Sequence, residues 1–150
     1  MAGVQTLPFE GRGERDHSWG PRAWNMEWTV VVANRDDMRF LCTDVRIPGV
    51  DPIKIGYFHR KGTENLSDVN LDFTYDDDSP LSPVKGNVRI TTAGSEELGF
   101  QLDIISGAEI NLAHVLVPPH RPIYRRALIR LHPEDGSDAL IGWYESHRTG

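Results

Sequence analysis

Polar and apolar residues alternate along most of this sequence, and turn-forming residues interrupt the alternation about every ten to fifteen positions. In residues 69–75, VNLDFTY, every second side chain is apolar. Successive side chains of a strand point to opposite faces of a sheet, so this period of two is typical of strands with one face in water. Helical periodicity is nearly absent. The pattern therefore predicts an all-β protein whose antiparallel sheet closes into a barrel or folds into a sandwich.

Eight to nine strands are predicted from these alternating segments, and the clearest cover residues 24–33, 38–47, 53–60, 69–75, 84–92, 98–106, 124–132 and 139–147. Residues 76–83, DDDSPLSP, are predicted to form a loop, because two prolines and three adjacent aspartates oppose a central strand. Eight antiparallel strands in 150 residues match small up-and-down barrels, whose interior holds side chains or one small ligand. A sandwich with one face in water explains the strands nearly as well.

Two predicted strands carry aromatic residues that are candidates for lining a cavity. In the first, five large apolar side chains occupy alternate positions and are expected to share one face. They are Trp24, Met26, Trp28, Val30 and Val32. In the third, Tyr57 and His59 share a strand face with Ile55. Tyr57 is expected either to donate a hydrogen bond to a ligand oxygen or to lie in the core with its hydroxyl at the barrel rim.

The composition limits the classes of function and of cellular location. The chain has 150 residues, which fits a single domain over residues 1–150. Its 16 Lys and Arg against 22 Asp and Glu give a net charge of −6, and no basic stripe offers a surface to a phosphate backbone. Its apolar runs are far shorter than the roughly 20 residues of a spanning helix, and its first residues lack a secretory pattern. We expect a cytoplasmic protein with no membrane span and no nucleic-acid partner.

Neither a metal nor a cofactor is predicted. The six histidines include no His-x-His or His-x-x-x-His pair, and Cys42 is the single cysteine, which excludes an intrachain disulfide and a Cys-rich metal site. No P-loop, dinucleotide fingerprint or Gly-x-Ser-x-Gly elbow occurs. Cys42 is expected to be a buried small hydrophobic residue.

Residues 11–24, GRGERDHSWGPRAW, concentrate charged and aromatic side chains in fourteen positions. If the segment is extended, His17 and Trp19 point to one side and Asp16 to the other. An inward His17 would supply a proton-transfer group and Trp19 an aromatic wall, while Asp16 would cap a neighbouring strand or pair with an arginine. Alternatively, the charged residues form a salt-bridge network that plugs one end of a barrel, with Trp19 and Trp24 in the core. The residues alone leave both alternatives open.

This opening segment resembles a motif of the lipocalin-like proteins related to the carotenoid 1,2-hydratases and the AttH-type proteins. The matching residues are Gly11, Gly13, Arg15, Asp16, His17, Ser18, Trp19, Gly20, Arg22 and Trp24. The segment GWYE at residues 142–145 resembles the closing strand of the same group. The resemblance implies a calycin-type β-barrel of about eight to nine strands. Members of the group typically contain two barrels, and this chain resembles the second alone, so a homodimer would replace the missing half.

The resemblance also implies a chemistry, because the hydratases are thought to protonate an isoprenoid double bond with an Asp near a His-x-Trp pair. His17 and Trp19 match that pair. Asp44 is the first candidate for the acid and Asp16 the second, since a carboxyl group in an apolar cavity is able to stay protonated. The faces of Trp19, Trp24 or Trp28 would stabilise a carbocation.

Three hypotheses of function follow. The first is a cofactor-free enzyme that binds an isoprenoid, steroid or polyketide-like molecule and catalyses hydration, isomerisation or cyclisation. The second is a carrier that binds an apolar ligand without transforming it. The third is a structural half-barrel that works with a partner domain. An acid and a base within reach of each other would distinguish the enzyme from the carrier.

Overall fold

The computed structural model describes residues 8, 10, 25–76, 79–111 and 123–149. The opening motif at residues 11–24 therefore lies outside the described residues. With it lie four candidate site residues, Asp16, His17, Trp19 and Trp24. Their predicted roles stay predictions.

The described residues form eight antiparallel strands. These are β1 (Glu27–Asn34), β2 (Arg39–Arg46), β3 (Ile53–His59), β4 (Thr63–Asp76), β5 (Ser79–Thr92), β6 (Glu97–Asn111), β7 (Ile123–Pro133) and β8 (Leu140–Arg148). Each strand pairs with the next, and β8 pairs with β1 to close the ring. The protein is thus an all-β, lipocalin-like barrel. Of the two folds that the alternation left open, the barrel is confirmed and the sandwich is wrong. None of the described segments forms a helix of the length and apolarity that crossing a membrane requires.

The predicted loop at residues 76–83 is wrong in its second half, because β5 begins at Ser79. The pairing of β4 with β5 is irregular there: Tyr75 lies opposite Pro83, Asp76 lies opposite Ser79, and the register shifts on both sides of Tyr75. Irregular pairing of this kind tolerates proline, since a bulge leaves some backbone N–H positions without a ladder partner. The prolines that opposed a regular strand therefore fit a bulged one.

The interior face of β1 is the opposite of the predicted one. Val31 and Ala33 belong to the buried core, and Val31 lies opposite Cys42 of β2 and Tyr144 of β8, which are both fully buried. Because side chains alternate, Trp28, Val30 and Val32 lie on the outer face. The segment TVVVA is apolar at both phases of the alternation, so the pattern did not distinguish the two faces.

One end of the barrel is filled by large apolar side chains. Phe40, Phe58 and Phe100 are at most 2% exposed, and the rings of Phe40 and Phe100 lie 5.0 Å apart. Fully burying each such side chain stabilises the fold by about 1.5–3 kcal/mol. Leu131 and Leu140, at the same end of β7 and β8, are fully buried too. This half of the interior is a packed hydrophobic floor.

Candidate ligand site in the open half of the barrel

In the opposite half of the barrel, the interior face of the described strands carries polar side chains, some of them exposed. The register aligns Thr29 with Asp44 and Asp44 with Lys54, so these three side chains share the interior face at that end. Glu109 and Arg125 are paired on the same face of β6 and β7. Lys54 and Glu109 are exposed although they face inward. The described strands therefore line the interior with packed apolar side chains at one end and with polar side chains at the other, here called the open end.

A layer of interior polar side chains, here called the polar tier, lies between the rim and the hydrophobic floor. It consists of Thr29, Asp44, Arg46, Tyr75, Tyr144 and Arg148, which come from β1, β2, β4 and β8. These strands meet in the barrel because β1 pairs with both β2 and β8, while the charge of Arg46 interacts with Tyr75 from β4. The polar tier is the candidate functional site.

Asp44 is the predicted site residue that the structure places inside the barrel. Its side chain is 10% exposed, and Arg46 Nη2 donates a hydrogen bond to its Oδ2 at 3.0 Å. Arg46 Nε lies 3.3 Å and 3.4 Å from the two carboxylate oxygens. The hydrogen bond to Asp44 raises the pKa of Arg46, so the guanidinium stays charged. Asp44 is thus a buried carboxylate on the interior face of the barrel, and Arg46 is its cationic partner.

Arg148 holds the polar tier in place at the seam between the first strand, β1, and the last strand, β8. Its Nη2 donates to Thr29 Oγ1 at 2.8 Å, and its Nη1 donates to the backbone oxygens of Trp28 and His147 at 2.8 and 2.9 Å. Both terminal nitrogens are therefore engaged with β1 and β8. Because Thr29 lies opposite Asp44, this arginine also sets the position of the β1 neighbour of the carboxylate.

Tyr144 brings a buried hydroxyl into the same tier. The residue is fully buried, its ring meets Phe73 edge to face with the centroids 5.2 Å apart, and Arg148 and Tyr75 lie near it. Among the described residues, its Oη has no hydrogen-bond partner. Burial raises the pKa of Tyr144 to about 12. The hydroxyl is therefore a neutral donor at physiological pH.

Apolar side chains next to the polar tier remain partly accessible. Leu66, Leu71, Phe73 and Ile104 pack against the core cluster, yet each is only half-buried. Leu71 and Phe73 face inward, because the register pairs them with buried Val88 and with Gly86 on β5. Partly exposed apolar surface inside a barrel is the kind of lining that small-molecule pockets use.

The other three described candidates, Trp28, Tyr57 and His59, lie on the outer face of the barrel. Trp28 stacks on His147 with the ring centroids 4.1 Å apart and donates from Nε1 to Glu145 Oε1 at 3.0 Å. Tyr57 and His59 flank the interior residue Phe58, so they point outward. The expectation that these three line an interior cavity is therefore wrong.

The aromatic lining of the interior comes instead from residues that the sequence reasoning missed, Phe73, Tyr75 and Tyr144. The available signal was the alternation along β8, where Leu140, Gly142, Tyr144, Ser146 and Arg148 change from apolar to polar toward the open end. Arg46 gave no signal, because it lies between Val45 and Ile47 as a surface arginine of a strand would.

Within the part of the chain that the structure describes, no group of three or more His, Cys, Asp or Glu side chains is arranged to hold a metal ion. Cys42 is fully buried, as expected, and burial raises the pKa of its thiol to about 12. The thiol is therefore protonated and poorly nucleophilic.

Comparisons with known proteins identify one family. The sequence model of a domain of unknown function, DUF7064, matches residues 2–149. No curated protein and no solved structure matches the chain.

Proposed function

This chain belongs to the DUF7064 family, and we propose that its barrel binds a hydrophobic small molecule in the open half of the interior. The observation that supports this proposal is the division of the interior into a packed floor, half-buried apolar walls and a polar tier. An apolar molecule that entered from the open end would contact Leu71 and Phe73 and would place a polar group beside Asp44 and Tyr144. Pockets that combine apolar walls with a few converging polar groups are typical of specific small-molecule sites.

Binding of N-phenylnaphthylamine, an uncharged apolar dye whose fluorescence rises in apolar surroundings, tests this proposal. We expect saturable binding by the wild-type protein. The variant Leu71→Trp fills the interior and is expected to abolish binding, because overpacking leaves no room for the dye. Leu128→Trp is the matched control, since Leu128 is 45% exposed on the outer face. Absence of saturable binding, or an equal loss in Leu128→Trp, would contradict an interior site.

We propose acid–base chemistry on the bound molecule as a second function, favoured by the buried carboxylate of Asp44 and the donor hydroxyl of Tyr144, which both lie on the interior face. The carboxylate of Asp44, held in place by its bond to Arg46, is suited to stabilise a positive charge that develops on the bound molecule. The proton donor for hydration of a double bond would then be a residue of the opening motif, such as His17, because a tyrosine with a pKa of about 12 is too weak an acid. This assigns Asp44 a different role from the acid that the resemblance implied.

Incubation with geranylacetone in heavy water tests this chemistry, with mass spectrometry to detect added water or deuterium at the olefinic carbons. We expect Asp44→Asn to form no product but to bind N-phenylnaphthylamine as the wild-type protein does. Asp103→Asn is the control, because Asp103 lies on the outer face, where its carboxylate bonds to His132 Nε2. Dye binding without product by the wild-type protein would instead support the carrier hypothesis. Light scattering at micromolar concentration tests the homodimer that the resemblance implied.

A further inference from the structure

The hydroxyl of Tyr144 is a buried donor whose hydrogen-bonding capacity is not used by the described residues. Its Oη has an accessible area below 1 Å² and no hydrogen-bond partner among them. Buried polar atoms nearly always have a partner, since leaving one without costs about 1–3 kcal/mol. A ligand in the interior would supply a partner for this group.

The position of this hydroxyl is fixed by packing. The Tyr144 ring meets Phe73 at 5.2 Å and an interplanar angle of 75°, and the Cα of Tyr144 lies opposite Val31, which is fully buried. The hydroxyls of Tyr75 and Ser146 lie nearby without meeting the geometry of a hydrogen bond to Oη. The donor is therefore held in place at the inner side of the polar tier, where the half-buried wall around Phe73 begins.

The charges around the hydroxyl favour an acceptor. Arg148 lies near Tyr144, and Arg46 lies near Tyr75. Arg46 is neutralised by its ion pair with Asp44, so Arg148 is the cation that strengthens a hydrogen bond from Tyr144 to an oxygen with partial negative charge. Both terminal nitrogens of Arg148 already donate to protein oxygens, so Tyr144 is the free donor of this pair.

We propose that Tyr144 donates a hydrogen bond to a carbonyl oxygen of the bound molecule, so that the ligand class is an oxygenated apolar compound, a ketone or aldehyde, and not a pure hydrocarbon. This inference rests on the proposed function, because it requires a small molecule in the open half of the barrel. It adds the polar feature that the ligand must carry and the residue that recognises it.

Two probes of the same shape test the inference: acetylnaphthalene, which has a carbonyl group, and ethylnaphthalene, which has a methylene group in its place. Their affinities are measured by displacement of N-phenylnaphthylamine from the wild-type protein, Tyr144→Phe and Tyr124→Phe. The last variant is the matched control, because the Tyr124 hydroxyl accepts a hydrogen bond from Arg126 Nε on the outer face.

We expect Tyr144→Phe to weaken acetylnaphthalene binding about fivefold, the loss of one hydrogen bond of about 1 kcal/mol. Ethylnaphthalene should bind the wild-type protein and Tyr144→Phe equally, and Tyr124→Phe should change neither affinity. The infrared band of the bound carbonyl should lie at lower frequency in the wild-type protein than in Tyr144→Phe, a shift that a merely structural role of Tyr144 would not produce.

Two results would overturn different parts of this reasoning. Equal acetylnaphthalene affinity and an equal carbonyl band in the wild-type protein and Tyr144→Phe would refute the role of Tyr144, while the proposed function would stand if both probes displace the dye. If the wild-type protein binds neither probe nor the dye, the proposed function itself fails.

Discussion

Tyr144→Phe is expected to make the ligand-free protein more stable, although it removes the hydroxyl that we propose as the donor to a ligand. The hydroxyl is fully buried without a partner among the described residues, whereas in the unfolded chain it is solvated by water. Removing it relieves the cost of desolvation, which is about 1–3 kcal/mol for such a group, and forfeits little packing. We expect the free energy of unfolding to rise by about 1 kcal/mol, which raises the Tm by about 2–4 °C in a domain of this size.

Urea unfolding followed by tryptophan fluorescence measures this change, with Tyr124→Phe as the control of opposite sign. Tyr124 Oη accepts a hydrogen bond from Arg126 Nε at 2.9 Å, so its removal should cost about 1 kcal/mol. The m-value should be the same in all three proteins, because the surface exposed on unfolding is the same. If Tyr144→Phe lowers the free energy of unfolding as Tyr124→Phe does, the hydroxyl is satisfied in the ligand-free barrel and the reasoning is refuted.

Further predictions concern the closing seam and the interior. A Cβ at Gly142 would overlap the backbone oxygen of Val32, so Gly142→Ala should separate β8 from β1 and lower the free energy of unfolding by about 3 kcal/mol, measured by urea unfolding. Gly62 has open space around it, so Gly62→Ala should change the free energy of unfolding little. The thiol of Cys42 should react with a disulfide reagent only as fast as the protein unfolds, and rapid labelling in native buffer would show that the floor opens. Because burial raises the pKa values of Cys42 and Tyr144 to about 12, the folded state keeps protons that the unfolded chain has lost, so stability should fall as the pH rises from about 9 to about 12. Urea midpoints that do not fall across this pH range would contradict both pKa shifts.

The strand pattern could be predicted from the sequence wherever one face of a strand is apolar and the other polar. β7 is the clearest case, since its buried residues Ala127, Ile129 and Leu131 alternate with exposed ones. The first part of β4 escaped prediction because Glu64, Asn65 and Ser67 leave both faces polar. This part of β4 pairs with β3 at only three positions, so contact with β3 imposes little alternation of apolar and polar residues on its sequence.

The candidate site was less predictable, because a period of two identifies two faces but not which one is inside. Along β1, both faces are apolar, and the face of Trp28 was wrongly predicted to point into the barrel. Trp28 is amphipathic enough to lie on the surface, where it is held by His147 and Glu145. Asp44 was found through the resemblance, whereas the unsatisfied hydroxyl of Tyr144 is visible only once the surrounding strands are in place.

The ring of strands has the same order as the chain, which has a consequence for how the barrel forms. Every seam but one joins strands that are consecutive in sequence; the β1–β8 seam joins residues 117 and 119 positions apart, as in the bonds of Trp28 to Glu145 and of Arg148 to Thr29. Contacts between distant residues carry the largest entropy of loop closure, so this seam is expected to form last during folding. Thr29, Tyr144 and Arg148 all lie along it. The half of the barrel that we propose binds a ligand is therefore completed in the final folding step, and a molecule bound there would slow the first step of unfolding.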